Sequence, residues 1–130
     1  MKKILIIDDE VNFGHFLKKN LEAVGGFEVA VCSDSTQAMR AAKAQRPTLI
    51  LLDIIMPGIS GEDLATQLRS DPDTKAIPIV FLTALVKEQE AAQQSHQIGG
   101  DLFVAKPVRI ADLVKTINQV TGEGPGTPKA

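Results

Sequence analysis

The chain has 130 residues, 44% of them hydrophobic and 23% charged, with a net charge of −2 at pH 7. That length suits one domain with a single core, and the charge leaves no basic surplus for contacts with nucleic-acid phosphates. No apolar run nears the roughly 20 residues of a membrane span. The Met1-Lys2-Lys3 start leads into only four apolar residues, and Cys32 is the single cysteine, which excludes a disulfide framework and a cysteine-based zinc site. A cytoplasmic protein is expected.

In chain order, strand and helix patterns alternate with short connections. Residues 3–7 (KILII) predict a first strand that ends at Asp8-Asp9. Phe13, Phe16, Leu17, Leu21 and Val24 recur at helical spacing, and Gly25-Gly26 supplies the stop. Residues 27–32 predict a second, outer strand, after which Ser33 or Asp34 can cap a helix carrying Ala38, Met39 and Ala42 inward. Residues 48–52 predict a third strand whose four consecutive apolar residues, Leu49 to Leu52, are as expected of burial on both faces, and it delivers Asp53 at its end. Met56-Pro57-Gly58 then forces a turn. A third helix is expected over about 60–70, a fourth strand over 77–82 ending at Thr83, and a weakly amphipathic fourth helix over about 87–98. Residues 101–105 predict a fifth strand ending at Lys106-Pro107, and 109–121 the last helix, with Ile110, Leu113, Val114, Ile117 and Val120 at helical spacing.

Five βα units in succession imply an α/β fold: a five-stranded parallel sheet of flavodoxin-like order 2-1-3-4-5 with helices on both faces. The folded domain is expected over residues 1–121, with 122–130 as a flexible Gly/Pro tail.

In that strand order the carboxyl ends of strands 1, 3, 4 and 5 share one edge, where ligands of open parallel sheets bind. They deliver Asp8 and Asp9, Asp53, Thr83 and Lys106 respectively. Three carboxylates so close repel one another unless a cation intervenes, and hard oxygen ligands with open positions suit Mg²⁺. Metal, ammonium and hydroxyl together are what a transferring phosphoryl group requires. Asp53, central in the set, is the candidate nucleophile for an acyl phosphate.

Four segments now stand in register: LIIDDE at 5–10, LLDIIMPGISG at 51–61, FLTA at 81–84 and FVAKP at 103–107. Together they resemble the receiver domain of bacterial two-component response regulators, over about residues 3–121. The resemblance implies that Asp53 is phosphorylated by a histidine kinase or phosphotransfer protein, or by a small donor such as acetyl phosphate. It implies that Mg²⁺ is held by Asp9, Asp53 and the backbone carbonyl of Ile55, with Asp8 acting partly through water. It assigns Thr83 and Lys106 to the phosphoryl oxygens, Phe103 to an aromatic switch that turns inward as Thr83 moves, and a cis bond to Lys106-Pro107. A downstream effector, or an output domain outside this chain, would read the fourth helix, fifth strand and fifth helix, about residues 86–121. A phosphorylation-dependent dimer is compatible with this scheme, and neither nucleic acid nor membrane is expected as a direct contact. Such a protein is not an enzyme with a free substrate; it catalyses only its own phosphorylation and slow dephosphorylation.

Each residue also has a plainer reading. Asp8-Asp9 taken alone would serve to cap a helix, Asp53 to make a turn, Thr83 to end a strand and Lys106 to carry a solvated charge. His15 and His96 are expected to be solvent-facing, and Cys32 a small buried hydrophobe. A haloacid-dehalogenase-type phosphohydrolase shares the Asp, Thr and Lys but carries a second Asp two positions after its nucleophile, where this chain has Ile55. A degenerate receiver would lack one of the acidic residues, the Thr or the Lys, and all are present. Ile55 and Leu85 flank the path of a hydrolytic water, so a long-lived acyl phosphate is expected. The few apolar anchors between Val86 and Ile98 predict low local stability for the fourth helix.

Overall fold

The computed structural model describes residues 1–84, 95–98 and 101–122. Strands β1 (Lys2–Ile7), β2 (Phe27–Cys32), β3 (Leu49–Asp53), β4 (Ile79–Thr83), β5 (Ser95–Ile98) and β6 (Asp101–Ala105) form one sheet in the order β2-β1-β3-β4-β6-β5. The first five in that order run parallel, as the expected 2-1-3-4-5 arrangement requires. Among the described residues the helices are α1 (Val11–Val24), α2 (Ala38–Gln45), α3 (Gly61–Ser70) and α4 (Ile110–Thr121), with a 3₁₀ turn at Ser35–Gln37 leading into α2.

The period-2 alternation of the strands sorts the core into two layers. Ile4, Ile6, Leu49, Leu51, Val80, Leu82 and Val104 face one side, where Leu17 and Leu21 of α1 and Leu113 and Ile117 of α4 cover them. Leu5, Ile7, Ile50, Leu52, Ile79 and Phe81 face the other, covered by Ala38 and Ala42 of α2 and by Leu64, Ala65 and Leu68 of α3. Every side chain of β3 is buried, and each fully buried leucine or isoleucine contributes roughly 1.5–3 kcal/mol. This two-sided burial is why the centre of the sheet is rigid and why what stands at its end is held in place.

Caps and turns follow local chemistry. The Asp34 side chain accepts from the Thr36 amide at 2.9 Å, so Asp34 rather than Ser33 opens the turn into α2. Ser60 Oγ accepts from the Asp63 amide at 3.1 Å, and Glu62 and Asp63 place negative charge in the first turn of α3.

Two expectations are corrected. Residues 95–98, expected as the end of a helix over 87–98, are instead an antiparallel strand on β6 (Ser95↔Val104 to Ile98↔Asp101). These four residues have no helical apolar stripe, and the free edge of β6 offers a row of backbone partners. Residues 87–94 of the expected helix lie outside the described residues. On α1, Phe16 and Val24 are not core residues: they are 47% and 52% exposed. The inner stripe is Phe13, Leu17 and Leu21, joined by Gly14, whose missing side chain admits Val31; a Cβ on Gly14 would stand 2.7 Å from Val31 Cγ1. Cys32 is buried, as expected, and His15 is exposed.

Candidate functional site

Two strand ends build the acidic half of the site. Parallel pairing in register (Ile7↔Leu52) puts the residues after β1 beside Asp53, the last residue of β3. Asp8, Asp9 and Asp53 each offer a carboxylate oxygen within 4.8 Å of the others. Asp8 is completely buried, Asp53 is 5% exposed and Asp9 is partly exposed. Asp8 Oδ1 accepts from the Glu10 amide at 2.9 Å, a turn that starts α1 without using up the second oxygen.

The basic half comes from the end of β6. Lys106 N donates to the Thr83 carbonyl at 2.9 Å, tying the two strand ends together, and the Lys106-Pro107 peptide bond is cis. Lys106 Nζ stands 2.9 Å from Asp8 Oδ2, 2.9 Å from Glu10 Oε1 and 3.6 Å from Asp53 Oδ1. It also lies 4.5 Å from the centre of the Phe13 ring. Burial alone would depress its pKa, but the carboxylates of Glu10, Asp8 and Asp53 outweigh that and hold Lys106 above the ordinary lysine value.

The site is nonetheless short of positive charge. Burial, then repulsion from Asp8, push the Asp53 carboxyl up from 3.8 to about 6, with Lys106 only partly countering and Asp9 adding to the rise. Asp8 Oδ2 is buried and, despite its proximity to Lys106, accepts no hydrogen bond of acceptable angle. Three converging carboxylates, one of them with an unsatisfied buried oxygen, fit a small hard divalent cation. The cluster can therefore hold a metal.

The loop after Asp53 is fixed from two sides. Gly61 N donates to the Ile54 carbonyl at 2.7 Å, and buried Ser35 donates to the Pro57 carbonyl at 3.0 Å. Gly58 takes a φ of 91°, which a side chain disfavours. Ile55, two residues after Asp53, is left 61% exposed.

The structure thus brings Asp8, Asp9, Asp53 and Lys106 together. Thr83, 4% exposed, ends β4 next to them in the register that pairs it with Ala105. Phe103 is half-buried and stacks on Phe81 with ring centroids 5.2 Å apart, on the side of the sheet covered by α2 and α3. Leu85, and residues 86–94 of the expected output face, lie outside the described residues. Sequence reasoning did not assign Glu10, Phe13, Ser35 or Gly61 to the site. The acidic triplet at 8–10 was the available signal for Glu10, and the motif at 51–61 contained Gly61; the roles of Phe13 and Ser35 depend on contacts with Lys106 and Pro57, in other segments.

The class so defined is a doubly wound α/β domain with an acidic, lysine-bridged crevice at the carboxyl edge of its parallel sheet. The family model described as "Response regulator receiver domain" matches residues 4–118. The phosphate regulon transcriptional regulatory protein PhoB of Pseudomonas aeruginosa is 36% identical over 130 residues, covering 99% of this chain and 56% of that protein. A response regulator from Desulfuromonas acetoxidans superposes with a TM-score of 0.77 at 30% identity, over 94% of this chain and 98% of that one. The receiver domain of the sensor histidine kinase PA1611 from P. aeruginosa, solved with a magnesium ion coordinated in its active site cleft, superposes with a TM-score of 0.77 at 26% identity, over 94% and 98% of the two chains. The chain belongs to the receiver-domain family of two-component response regulators. It spans about half the length of the curated relatives it matches. Among the described residues, no helix is long and apolar enough to cross a membrane.

Proposed function

We propose that this receiver accepts a phosphoryl group on Asp53 from a phosphohistidine, or from a small acyl phosphate, in a Mg²⁺-dependent reaction. The observation that carries this reading is the convergence of Asp8, Asp9 and Asp53 within 4.8 Å, with Lys106 Nζ 3.6 Å from Asp53 Oδ1. In the transfer, an Asp53 carboxylate oxygen forms a P–O bond as the donor's P–N bond breaks. The electron pair leaves on the imidazole nitrogen, which takes up a proton from water. Lys106 and the Thr83 hydroxyl meet the charged equatorial oxygens. Asp9, Asp53 and the Ile55 carbonyl, with Asp8, would hold the Mg²⁺. When bound, the ion supplies positive charge that neutralises the carboxylates and the incoming phosphoryl oxygens. Its fit rests on the charge deficit at Asp53 and the unsatisfied Asp8 oxygen.

Downstream, Phe103 and Thr83 act as the switch pair, and the face running to α4 is read by an effector or by an output domain outside residues 1–130. A phosphorylation-dependent dimer through the same face is compatible with this scheme. The protein works in the cytoplasm as a self-modifying switch with no free substrate to turn over.

Intact mass after incubation with acetyl phosphate, with and without Mg²⁺, tests the proposal on wild type and Asp53→Asn. One phosphoryl group gained only with Mg²⁺ and only by wild type is the expected result. No gain by wild type, or equal gain by the variant, would overturn it.

A further inference from the structure

Lys106 serves three carboxylates, and they are not equivalent. Asp8 is wholly buried and the Asp53 side chain is 8% exposed, whereas the Glu10 side chain is 63% exposed. The contacts to Asp8 and Glu10 are both 2.9 Å, and Lys106 Nζ hydrogen-bonds Glu10 Oε1; the 3.6 Å approach to Asp53 is longer. The Phe13 ring closes a further side of the ammonium at 4.5 Å. Lys106 is thereby held toward α1, short of the residue it is needed by.

The ammonium sits between Asp8, Glu10 and the Phe13 ring, so oxygens arriving on Asp53 draw Lys106 away from the α1 side and lengthen a contact it already has. Taking it from Asp8 would leave a buried carboxylate without its cation, which is strongly unfavourable. Taking it from Glu10 returns a largely exposed carboxylate to water, which costs little. Glu10 is the exchangeable partner.

We propose that Glu10 is a positioning residue: it parks Lys106 on the α1 side of the crevice in the unmodified protein and releases it when phosphoryl oxygens appear on Asp53. This rests on the reading of Asp53 as phosphoacceptor. The Glu10–Lys106 contact exists before transfer and is lost during it, so it stabilises the starting state alone and slows the reaction. Hydrolysis of the acyl phosphate begins after Lys106 has moved, so that step does not feel the contact. The signature is a one-sided kinetic effect.

The test measures phosphorylation by acetyl phosphate with Mg²⁺, and then dephosphorylation, in the full chain carrying Glu10→Gln or Glu10→Asp. The same Glu10→Gln change is also made in a Lys106→Ala background. Both single variants are expected to speed phosphorylation roughly two- to fivefold, the range of a partly exposed ion pair, with the dephosphorylation half-life unchanged. In Lys106→Ala the Glu10→Gln effect disappears. Glu10→Asp keeps the charge but is one methylene too short to hold the contact. If it behaves as wild type while Glu10→Gln is faster, general repulsion of the donor explains the effect and the proposal is overturned. Wild-type rates in both variants, or an undiminished Glu10→Gln effect without Lys106, also overturn it. A wild type that takes up no phosphoryl group overturns the reading of Asp53 and this inference with it.

Discussion

A Cβ placed on Gly61 would stand 2.1 Å from the carbonyl oxygen of Asp53 and 2.8 Å from Ile54 Cα. The first residue of α3 and the last residue of β3 are therefore one packed unit, with backbone directly against backbone. A flexible neighbour could yield to a methyl group; two main chains cannot. The clash displaces either the helix or the candidate phosphoacceptor.

Gly61→Ala is expected to destabilise the protein by roughly 2–4 kcal/mol, at or above the upper end for overpacking, because the obstruction is backbone. Urea unfolding of wild type and variant would measure it. Phosphorylation of the folded fraction should fall as well, since the Asp53 carbonyl is displaced. A variant as stable as wild type would mean that α3 shifts freely relative to β3.

The raised pKa of Asp53 makes a signed prediction. An unfolded aspartate loses its proton near 3.8, whereas Asp53 in the folded protein holds one up to about 6. Between those values the unfolded chain binds fewer protons, so stability falls as pH rises through the window and stays lower above it. Without metal, Asp53→Asn should be more stable than wild type by roughly 1–3 kcal/mol at pH 8, and the gap should close by pH 4. Denaturant titrations across this range would show it. A gap that widens toward acid would contradict the charge deficit.

Mg²⁺ should act in the opposite sense. Binding of the ion to the folded carboxylate cluster, as proposed, predicts that saturating Mg²⁺ at pH 8 raises the melting temperature of wild type, and much less that of Asp53→Asn. Below about pH 6 the ion competes with the Asp53 proton, so its apparent affinity should drop. Equal stabilisation of both proteins would place the ion elsewhere.

Ser35 links the second βα connection to the loop after Asp53 through its 3.0 Å hydrogen bond to the Pro57 carbonyl. Ser35→Ala removes the donor and leaves that carbonyl unpaired, at a cost of about 1 kcal/mol. The informative measurement is amide exchange across 54–60. Faster exchange there is expected, and unchanged protection would show that Gly61 and Ser60 suffice to hold the loop.

Ile55, two residues after Asp53, is an apolar side chain left 61% exposed. The expectation that it shields an acyl phosphate on Asp53 from hydrolytic water can be tested directly. Ile55→Asn is expected to shorten the phosphoryl half-life several-fold, followed by intact mass after removal of donor. An unchanged or longer half-life would remove the shielding role.

The sequence by itself determined the five parallel strands and which charged and hydroxyl residues stand at their carboxyl ends. Pattern sufficed because β3 is apolar on both faces and the charged or hydroxyl residues fall where each apolar run stops. The strand order was read from the count of five βα units, which favours the flavodoxin-like arrangement, and right-handed crossovers then restrict where the helices can lie. Asp8, Asp53, Thr83 and Lys106 were legible for that reason. The tertiary structure decided what periodicity cannot carry. Phe16 has the right spacing for the core, yet Gly14 is buried in that layer because Val31 of β2 stands there. Residues 95–98 took the open edge of β6 because antiparallel backbone pairing with residues 101–104 outweighed a weak helical pattern. Glu10 reaches Lys106 across 96 positions of sequence, a contact made by the meeting of two strand ends and invisible in either segment alone. Local pattern fixes where carboxylates stand; only the folded chain fixes which of them holds the lysine.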